Sequence, residues 1–559
     1  MLEHDVLVVG GGLAGMRAAL AANANGANTA LISKLYPVRS HSCAAQGGIN
    51  AALTDRGDDW EEHAFETVKG SDYLGDQDAI EVMCRMAGGE VIAMEHMGVA
   101  FNRDEEGRLG TRRFGGQQRA RTFFVADFTG QAMLHVMFEQ LMKSGVRAYN
   151  EWFVTSLIIE DGECCGITAM EIRTGSLFAI RAKAVILCTG GLGRLFEPST
   201  NAITVTGDGM ALAYRAGAPL MDMEMVQFHP TTLKGSGVLI TEGARGDGAY
   251  LINKDGDRFM INYAPNMMEL ASRDVVSRAE TREIAEGRDS DGCVFLDCRH
   301  LGEQFINERL SQIRELGRDL VGVDIVHEPI PICPGMHYQM GGIKTNVDGL
   351  TPLPGVYAAG EAANVSVHGS NRLGANSLLD TIVFGRRSGE HAAEATRGME
   401  FRSFNSEGWV EREEERLRGL LSREPNGDRV ASIRFDLGTA MNQHLGVVRN
   451  EEGMKEGLEK LHALQKRFET VPVEDKGRTF NTDLVFALEL GYMLDCAETI
   501  IDGAIERRES RGAQYRSDYT ERDDENWLKH ILVTRSEDGP VTSHLPVVIT
   551  QWQPQVRSY

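Results

Sequence analysis

A handful of cationic or protonatable side chains sit in short, well separated fragments of this sequence. His229 lies in Gln227-Phe-His-Pro-Thr231, and Glu242 and Arg245 lie in Thr241-Glu-Gly-Ala-Arg-Gly. Arg273 lies in Ala-Ser-Arg-Asp-Val-Val-Ser-Arg, His337 in His-Tyr-Gln-Met-Gly-Gly, and Arg372 in Asn-Arg-Leu-Gly-Ala-Asn. An anion taken out of water needs cationic or strongly donating partners, and these residue types supply them. Taken singly, such an arginine or histidine is more often structural than catalytic. One further histidine, His41, stands in Arg39-Ser-His-Ser-Cys-Ala-Ala-Gln-Gly-Gly48. A Gly-Gly pair lets the backbone lie against a flat ring. A nucleophilic imidazole just before it could reach that ring.

The elements that would position these groups have their own signature. Asp5-Val-Leu-Val-Val is a short apolar run ending in Gly10-Gly11-Gly12-Leu13-Ala14-Gly15, and an Ala-rich helical stretch follows from Met16 to Asn25. Gly26 ends that helix and a second strand follows at Thr29 to Ser33, which completes a βαβ unit. In G-x-G-x-x-G the glycines allow a tight turn and close approach to a pyrophosphate. That group sits at the helix N-terminus, where free N–H groups and the helix dipole favour it. An acidic residue usually ends the second strand and accepts ribose hydroxyls. Ser33-Lys34 stands there instead, which weakens a plain NAD reading. Two later apolar runs, Ala184 to Cys188 and Gly355 to Ala359, also end in glycine. Three such strands fit an α/β nucleotide domain whose strand ends converge on one ligand.

R-S-H-[ST]-x-x-A-Q-G-G resembles the flavinylation segment of the succinate dehydrogenase and fumarate reductase flavoproteins. The resemblance implies FAD held covalently through His41. It also implies cofactor contacts from Gly10, Gly11, Gly12, Leu13, Ala14 and Gly15, from Ser33 and Lys34, and from Ser40, Ser42, Ala45, Gln46, Gly47 and Gly48. Thr206-Gly-Asp208-Gly resembles the family's T-G-D-G loop, and Gly360-Glu361-Ala its G-E-[AS] turn. Asn371 to Asp380, with Ser377 and Leu378, resembles the segment that starts a helix under the flavin ring. Such a helix N-terminus favours negative charge on the reduced ring. The isolated polar fragments, in order, resemble the family's active-site set. His229, Thr241, His337 and Arg372 would then hold the two carboxylates of a C4 dicarboxylate, with Arg372 able to bind one bidentately. Arg273 matches the family's proton donor, and Glu242 and Arg245 its relay. The implied reaction is hydride transfer between a substrate carbon and the flavin. Arginine has a pKa above about 12, so Arg273 reads either as proton shuttle or as electrostatic clamp. The family's T-E-G-C-R-G has Ala244 in place of cysteine here. Arg508-Glu-Ser-Arg-Gly-Ala and the ending Gln551-Trp-Gln-Pro-x-x-Arg-x-Tyr also resemble the family.

Composition sets the limits. The chain has 559 residues, 42% apolar and 25% charged, as in a soluble globular protein of several domains. No apolar run approaches a membrane span, and no export or transit signal is visible. The net charge of −23, from 58 basic and 81 acidic residues, argues against nucleic acid and against direct adhesion to an anionic membrane. The nine scattered cysteines form no C-x-x-C, so no zinc or iron–sulfur ligand set, and no metal site, is expected. The resemblance supplies the missing redox partners: an iron–sulfur subunit and, through it, a membrane anchor and quinone, at the cytoplasmic face of the membrane. L-aspartate oxidase shares the fold and clamps but lacks the histidine at His41. A non-catalytic FAD scaffold would have lost the clamps. Gln46 points toward succinate oxidation, since some fumarate reductases carry Glu there.

The expected fold class is α/β: a Rossmann-like FAD-binding domain with an inserted α+β capping domain, then a helical domain and a C-terminal tail. The expected bounds are 1–222 and 340–402 for the FAD-binding domain, 223–339 for the cap, 403–518 for the helical domain and 519–559 for the tail. Leu458, Leu461, Leu464 and Phe468 recur at helical spacing. Glu411 to Arg416 reads as a solvated helix face. The last forty residues, with Pro540, Pro546 and Pro554, read as extended.

Overall fold

The computed structural model describes residues 2–557. Its central sheet has seven strands, in the order Arg147–Asn150, Thr29–Ser33, Leu2–Val9, Ser176–Leu187, Glu163–Glu171, Trp152–Glu160, with Val356–Ala358 also paired to Ser176–Leu187. The three strands that end in glycine are neighbours and run parallel. Val9 and Ala358 both stand opposite Leu187, so all three ends reach one edge of the sheet together. Val6, Val8, Ala184 and Ile186 pack into one core, and Leu7, Val9, Val185 and Leu187 into another. Burial on both faces explains why these strands are continuous apolar runs rather than alternating ones.

The first face is covered by the helix Leu13–Ala24 and the helix Asn376–Ala395, whose backbones nearly touch. A Cβ added at Gly385 would lie 2.7 Å from the Ala14 carbonyl oxygen, and one at Gly389 2.2 Å from that of Ala18. Two glycines one turn apart, facing Ala14 and Ala18, therefore set this crossing. Both helices start at the same sheet edge, so the crossing fixes two helix N-termini relative to each other.

The second face is covered by the helices Ser406–Leu421, Val430–Leu445, Glu451–Thr470 and Thr482–Glu506. Leu461 and Leu464 are buried there, with Leu458 and Phe468 packed at the margin, as the spacing predicts. Within Glu411 to Arg416 one residue departs from the solvated-face expectation: Glu413 is buried and paired with Arg416 at 2.7 Å.

A separate four-stranded antiparallel sheet has the order Val226–Leu233, Ile330–Gln339, Val294–Asp297, Tyr250–Ile252, and its own apolar core. Register shifts flank His229 where Val226–Leu233 pairs with Ile330–Gln339. Such bulges re-aim side chains, and they turn this stretch toward the central sheet. The helix Arg273–Ala285 packs on the same two strands.

The C-terminal stretch is not simply extended. Lys529–Ser536 and Gly539–Pro546 form an antiparallel hairpin, joined to Leu220–Met221 in a five-stranded sheet. Pro540 and Pro546 fall on the outermost strand, where a missing N–H costs no ladder bond. Beyond it, Arg557 pairs with Asp274 at 2.7 Å and Asp72 at 3.0 Å. That contact ties the first turn of the Arg273–Ala285 helix to the loop after residue 70.

Replacing Gly389 with leucine forces the two helices apart. A cost of about 1–3 kcal/mol is expected for such overpacking. It should be seen as a lower thermal unfolding midpoint together with reduced flavin content, whereas Gly419→Leu, at an exposed helix position with open space around it, should lower neither.

Candidate active site

The sheet edge opens on a cavity of about 570 Å³, within the range of cofactor sites. The first wall is the turn Gly10–Gly12, with Leu13 and Ala14 opening the helix behind it. Gly10 has φ +116°, and a Cβ there would meet the Cys188 carbonyl oxygen at 2.1 Å. A Cβ at Gly12 would stand 2.9 Å from Ser40 Oγ. The turn thus leaves a trough that side chains would fill, beside a helix N-terminus. That fits a pyrophosphate.

Ser33 and Lys34 line the same wall. The absence of an acid there has a structural reason. Lys34 Nζ donates to Asp208 at 2.7 Å, to Thr206 at 3.0 Å and to Glu489 at 2.6 Å. Burial opposes the charge, but the two carboxylates hold the Lys34 pKa above its ordinary value. The lysine fastens the Thr206–Asp208 loop to the Thr482–Glu506 helix, and Asp208 itself reaches the cavity.

Ser40, His41, Ser42, Ala45, Gln46, Gly47 and Gly48 line the next stretch. His41 Nδ1 accepts the Ala202 N–H at 3.3 Å, which leaves Nε2 as the nitrogen not engaged by backbone. Burial and the nearby Arg194 push the His41 pKa down to about 4, so the ring is neutral. The carbonyl of Gly47 accepts from Arg112 Nε at 3.0 Å, and that of Gln46 from Nη2 at 3.0 Å, which fixes the Gly-Gly segment. Glu361 lies across the cavity and accepts the Gln339 N–H at 3.0 Å, and burial raises its pKa to about 7. Ser377 and Leu378 stand in the first turn of Asn376–Ala395.

The polar set closes the far end. Arg273 Nε donates to Glu242 at 3.0 Å and Nη1 to the Gln227 side chain at 3.1 Å. Glu242 also accepts the Gly115 N–H at 2.7 Å. Burial would raise the Glu242 pKa, but Arg273 and Arg245 outweigh it and hold the carboxylate ionised. The His229 and His337 rings lie 5.0 Å apart. Burial and the neighbouring arginines push both well below the ordinary histidine value. His229 Nδ1 accepts the Thr231 N–H at 3.2 Å, so its neutral ring carries its proton on Nε2 as a donor. His337 Nδ1 lies 2.8 Å from Thr200 Oγ1. Arg372 lies over the Tyr338 ring at 4.6 Å, with Nε buried and without a hydrogen bond among the described residues. Burial and Arg273 push its pKa down to about 9. Thr241 Oγ1 accepts the Gly243 N–H at 3.2 Å.

Two expected residues do not reach the cavity. Gly15 lies behind the turn, where a Cβ would stand 1.9 Å from the Gly10 carbonyl oxygen. Its role is close packing of helix on strand. Arg245 is buried behind Glu242, with Nη2 at 3.9 Å from it, so it acts through that carboxylate. Arg194, Asn201, Ala202, Gln227 and Tyr338 contribute without having been singled out. Gln227 and Tyr338 lie beside His229 and His337 in the same fragments, and Arg194 follows Gly190-Gly-Leu-Gly193, the glycines after the Ala184 to Cys188 run.

Cys188 also lines the cavity, but burial pushes its thiol up to about 12. With Ala244 beside Arg245, no reactive thiol is expected near the polar set. Maleimide treatment should leave turnover intact with or without dicarboxylate. Rapid inactivation that substrate prevents would contradict this.

A family model described as FAD binding domain matches residues 5–378, and one described as fumarate reductase flavoprotein C-terminal matches residues 434–559. The chain is 45% identical to the fumarate reductase flavoprotein subunit of Mycobacterium tuberculosis, over 100% of this chain and 99% of that one. It is 46% identical to the succinate dehydrogenase flavoprotein subunit of Rickettsia conorii, over 98% and 96%. Among solved structures, a mutant E. coli quinol fumarate reductase chain superposes with a TM-score of 0.96 at 42% identity, covering 100% of this chain and 99% of that one. The chain therefore belongs to the succinate dehydrogenase and fumarate reductase flavoprotein subunits, FAD-dependent oxidoreductases.

Proposed function

We propose that this chain interconverts succinate and fumarate on FAD joined covalently to His41. Electrons would pass to an iron–sulfur subunit and on to quinone through a membrane anchor, with this subunit peripheral on the cytoplasmic face. The reading is carried by one observation: the Arg273–Glu242 pair, Arg372, His229 and His337 border the same cavity as His41 and the Gly10–Gly12 turn. The chain has no helix long and apolar enough to cross a membrane among its described residues, so membrane attachment falls to partners. The proposed domain division is the one that the sequence suggests, with the cap from 223 to 339 carrying most of the polar set.

Bound FAD supplies the hydride acceptor or donor. The rest is work for the side chains. Arg372 holds one carboxylate through two parallel N–H bonds, and an anion there would relieve a guanidinium otherwise short of negative charge. His229, Thr241 and His337 hold the other as neutral donors. Arg273 has Nε and Nη1 engaged by Glu242 and Gln227, which leaves Nη2 for the substrate carbon. In fumarate reduction Nη2 gives a proton to that carbon, and the same nitrogen is then reprotonated by way of Glu242, which must itself first be loaded with a proton. The guanidine is neutral only between the two transfers, and the ionised Glu242 beside Nε favours its return to the cationic form. In succinate oxidation the proton runs the other way. Two arginines and two neutral histidines around one dianion also exclude water from the reacting carbons.

Ultraviolet fluorescence of the acid-denatured chain on a gel tests the linkage. Fluorescence should stay with the wild type and vanish in His41→Ala. Flavin released freely from the wild type would refute the covalent link and make L-aspartate the next substrate to try. For the proton step, Arg273→Lys should retain flavin and lose turnover by about 10²–10⁴-fold. Substantial remaining turnover would reduce Arg273 to an electrostatic clamp.

A further inference from the structure

The polar set does not end at Arg245. Glu280 lies two helical turns beyond Arg273, on the same buried face of the Arg273–Ala285 helix. Ser277, between them, donates to the Phe228 carbonyl at 3.2 Å and so holds that face against the Val226–Leu233 strand. Glu280 is 0% exposed, and neither of its carboxylate oxygens has a hydrogen-bond partner among the described residues. Arg245 is buried in the same layer. Its Nη1 donates to the Glu269 carbonyl at 2.5 Å, whereas Nε and Nη2 have no hydrogen-bond partner among the described residues. Arg245 is the opposite charge that Glu280 feels, and Arg245 feels Glu280 next after Glu242, although the two make no direct ion pair.

A buried carboxylate placed for stability normally makes close ion pairs or hydrogen bonds, because unpaired burial is costly. Glu280 makes neither, while the guanidinium beside it keeps donors unused. Cys293 and Cys333 also lie near Glu280. The Val294↔Ile332 pairing, carried one residue further, sets these two opposite each other between the two central strands of the antiparallel sheet, and Cys333 is partly exposed. Glu280 therefore has the polar set on one strand of its layer and a partly exposed position of the central strands near it.

We propose that Glu280 extends the proton path of the site, exchanging protons with Arg245 and linking the Glu242–Arg273 pair to the partly exposed Cys333 of the antiparallel sheet. The proposal rests on the dicarboxylate reading. In succinate oxidation bound FAD would supply the acceptor for one hydrogen as hydride, and Arg273 takes the other as a proton. Arg273 has first given a proton to Glu242, so this transfer restores its cationic form and leaves Glu242 holding a proton. Arg245 takes it from Glu242 as it gives an N–H proton to Glu280, so one proton arrives at Glu280 and no residue changes oxidation state. The 3.9 Å between Arg245 and Glu242 is a separation that one water bridges. Fumarate reduction runs the same path inward. Burial holds the Glu280 carboxyl well above the ordinary range against the pull of Arg245, with Cys293 adding to the rise. Burial thus favours the protonated carboxyl, which can be handed inward in fumarate reduction and is discharged outward before the next proton is taken in succinate oxidation.

Glu280→Gln tests this in the full-length flavin-loaded chain. Glutamine keeps the volume but cannot exchange a proton. Flavin content and dicarboxylate KM should stay at wild-type values. The kcat for fumarate reduction should fall by about 10²-fold, with a steeper loss at alkaline pH, and Glu280→Asp should recover part of it. A second readout needs no turnover. Infrared spectra of the resting protein should show a protonated carboxyl band, shifted in heavy water and missing from Glu280→Gln. Unchanged kcat and pH profile in Glu280→Gln would overturn the proposal, and so would absence of the band. If Glu280→Gln loses its flavin, Glu280→Asp decides: a wild-type pH profile supports the relay, and equal loss overturns it. Wild-type flavin that succinate fails to reduce would instead overturn the dicarboxylate reading, which the infrared band does not measure.

Discussion

A dianion can be held away from water only where fixed positive charge already waits for it, and most of this structure follows from that constraint. Arg273, Arg245 and Arg372 are all buried around one ionised carboxylate, Glu242. The surplus is local, since the whole chain carries −23. Its signature is Arg372, whose pKa is driven down by burial and by Arg273. A lone buried cation would gain by recruiting a carboxylate from the protein. Here the position stays short of one, as a site awaiting an anionic ligand requires. No single element can carry such a cluster, because like charges on one helix or strand repel before the ligand arrives. The cluster is therefore assembled from a helix N-terminus, a short turn, two strands and a loop that meet only in the folded chain.

That assembly needs two layers held in register. The central sheet and its crossing helices shape the cofactor wall, and the antiparallel sheet brings His229, His337 and Arg273. Ties between the layers come from far along the chain. Arg557 reaches Asp274, the neighbour of Arg273, and Arg278 donates to the Gly512 carbonyl at 2.8 Å. Arg507 joins Glu224 at 2.7 Å and Glu509 at 3.1 Å with no exposure. These pairs sit where the layers meet rather than inside either one. Removing one partner from such a buried pair costs more than the pair contributes, so they resist sliding of one layer on the other.

Local patterns were legible and tertiary convergence was not. The Gly10–Gly15 turn, the glycine ends of the three strands and the Leu458–Phe468 spacing each report a conformation that neighbouring residues alone dictate. The sheet then placed those ends side by side, as their common pattern suggested. Lys34 was readable only as a missing acid, because its partners Asp208 and Glu489 are hundreds of residues away. Arg112, which pins Gln46 and Gly47, carries no motif at all. The C-terminal hairpin hides behind a polar, proline-bearing sequence that suggests an extended tail. Its prolines are tolerated only because that strand is outermost, a fact of topology rather than sequence. Glu280 was invisible for a similar reason: an acid two turns after an arginine looks like helix surface until the helix is seen to bury that side.

The protonation states divide the labour within the site. The positive charge sits on guanidiniums, which hold it across the physiological range. His229 and His337 are pushed well below their ordinary value, so both rings are neutral, and on the proposed reading they donate to the substrate without responding to modest acidification. Glu242 is kept ionised by its two arginines. Glu361, raised by burial to about 7 beside the cofactor wall, can gain or lose a proton near neutrality, and burial also raises Glu280 behind Arg245. On the proposed reading, the charge that binds the dianion sits on groups that do not titrate in the working range. The proton step uses two of the same groups, Arg273 and Glu242, so each turnover disturbs that charge only while the proton is in transit, and a dianion stays held by Arg372 and the neutral histidines meanwhile.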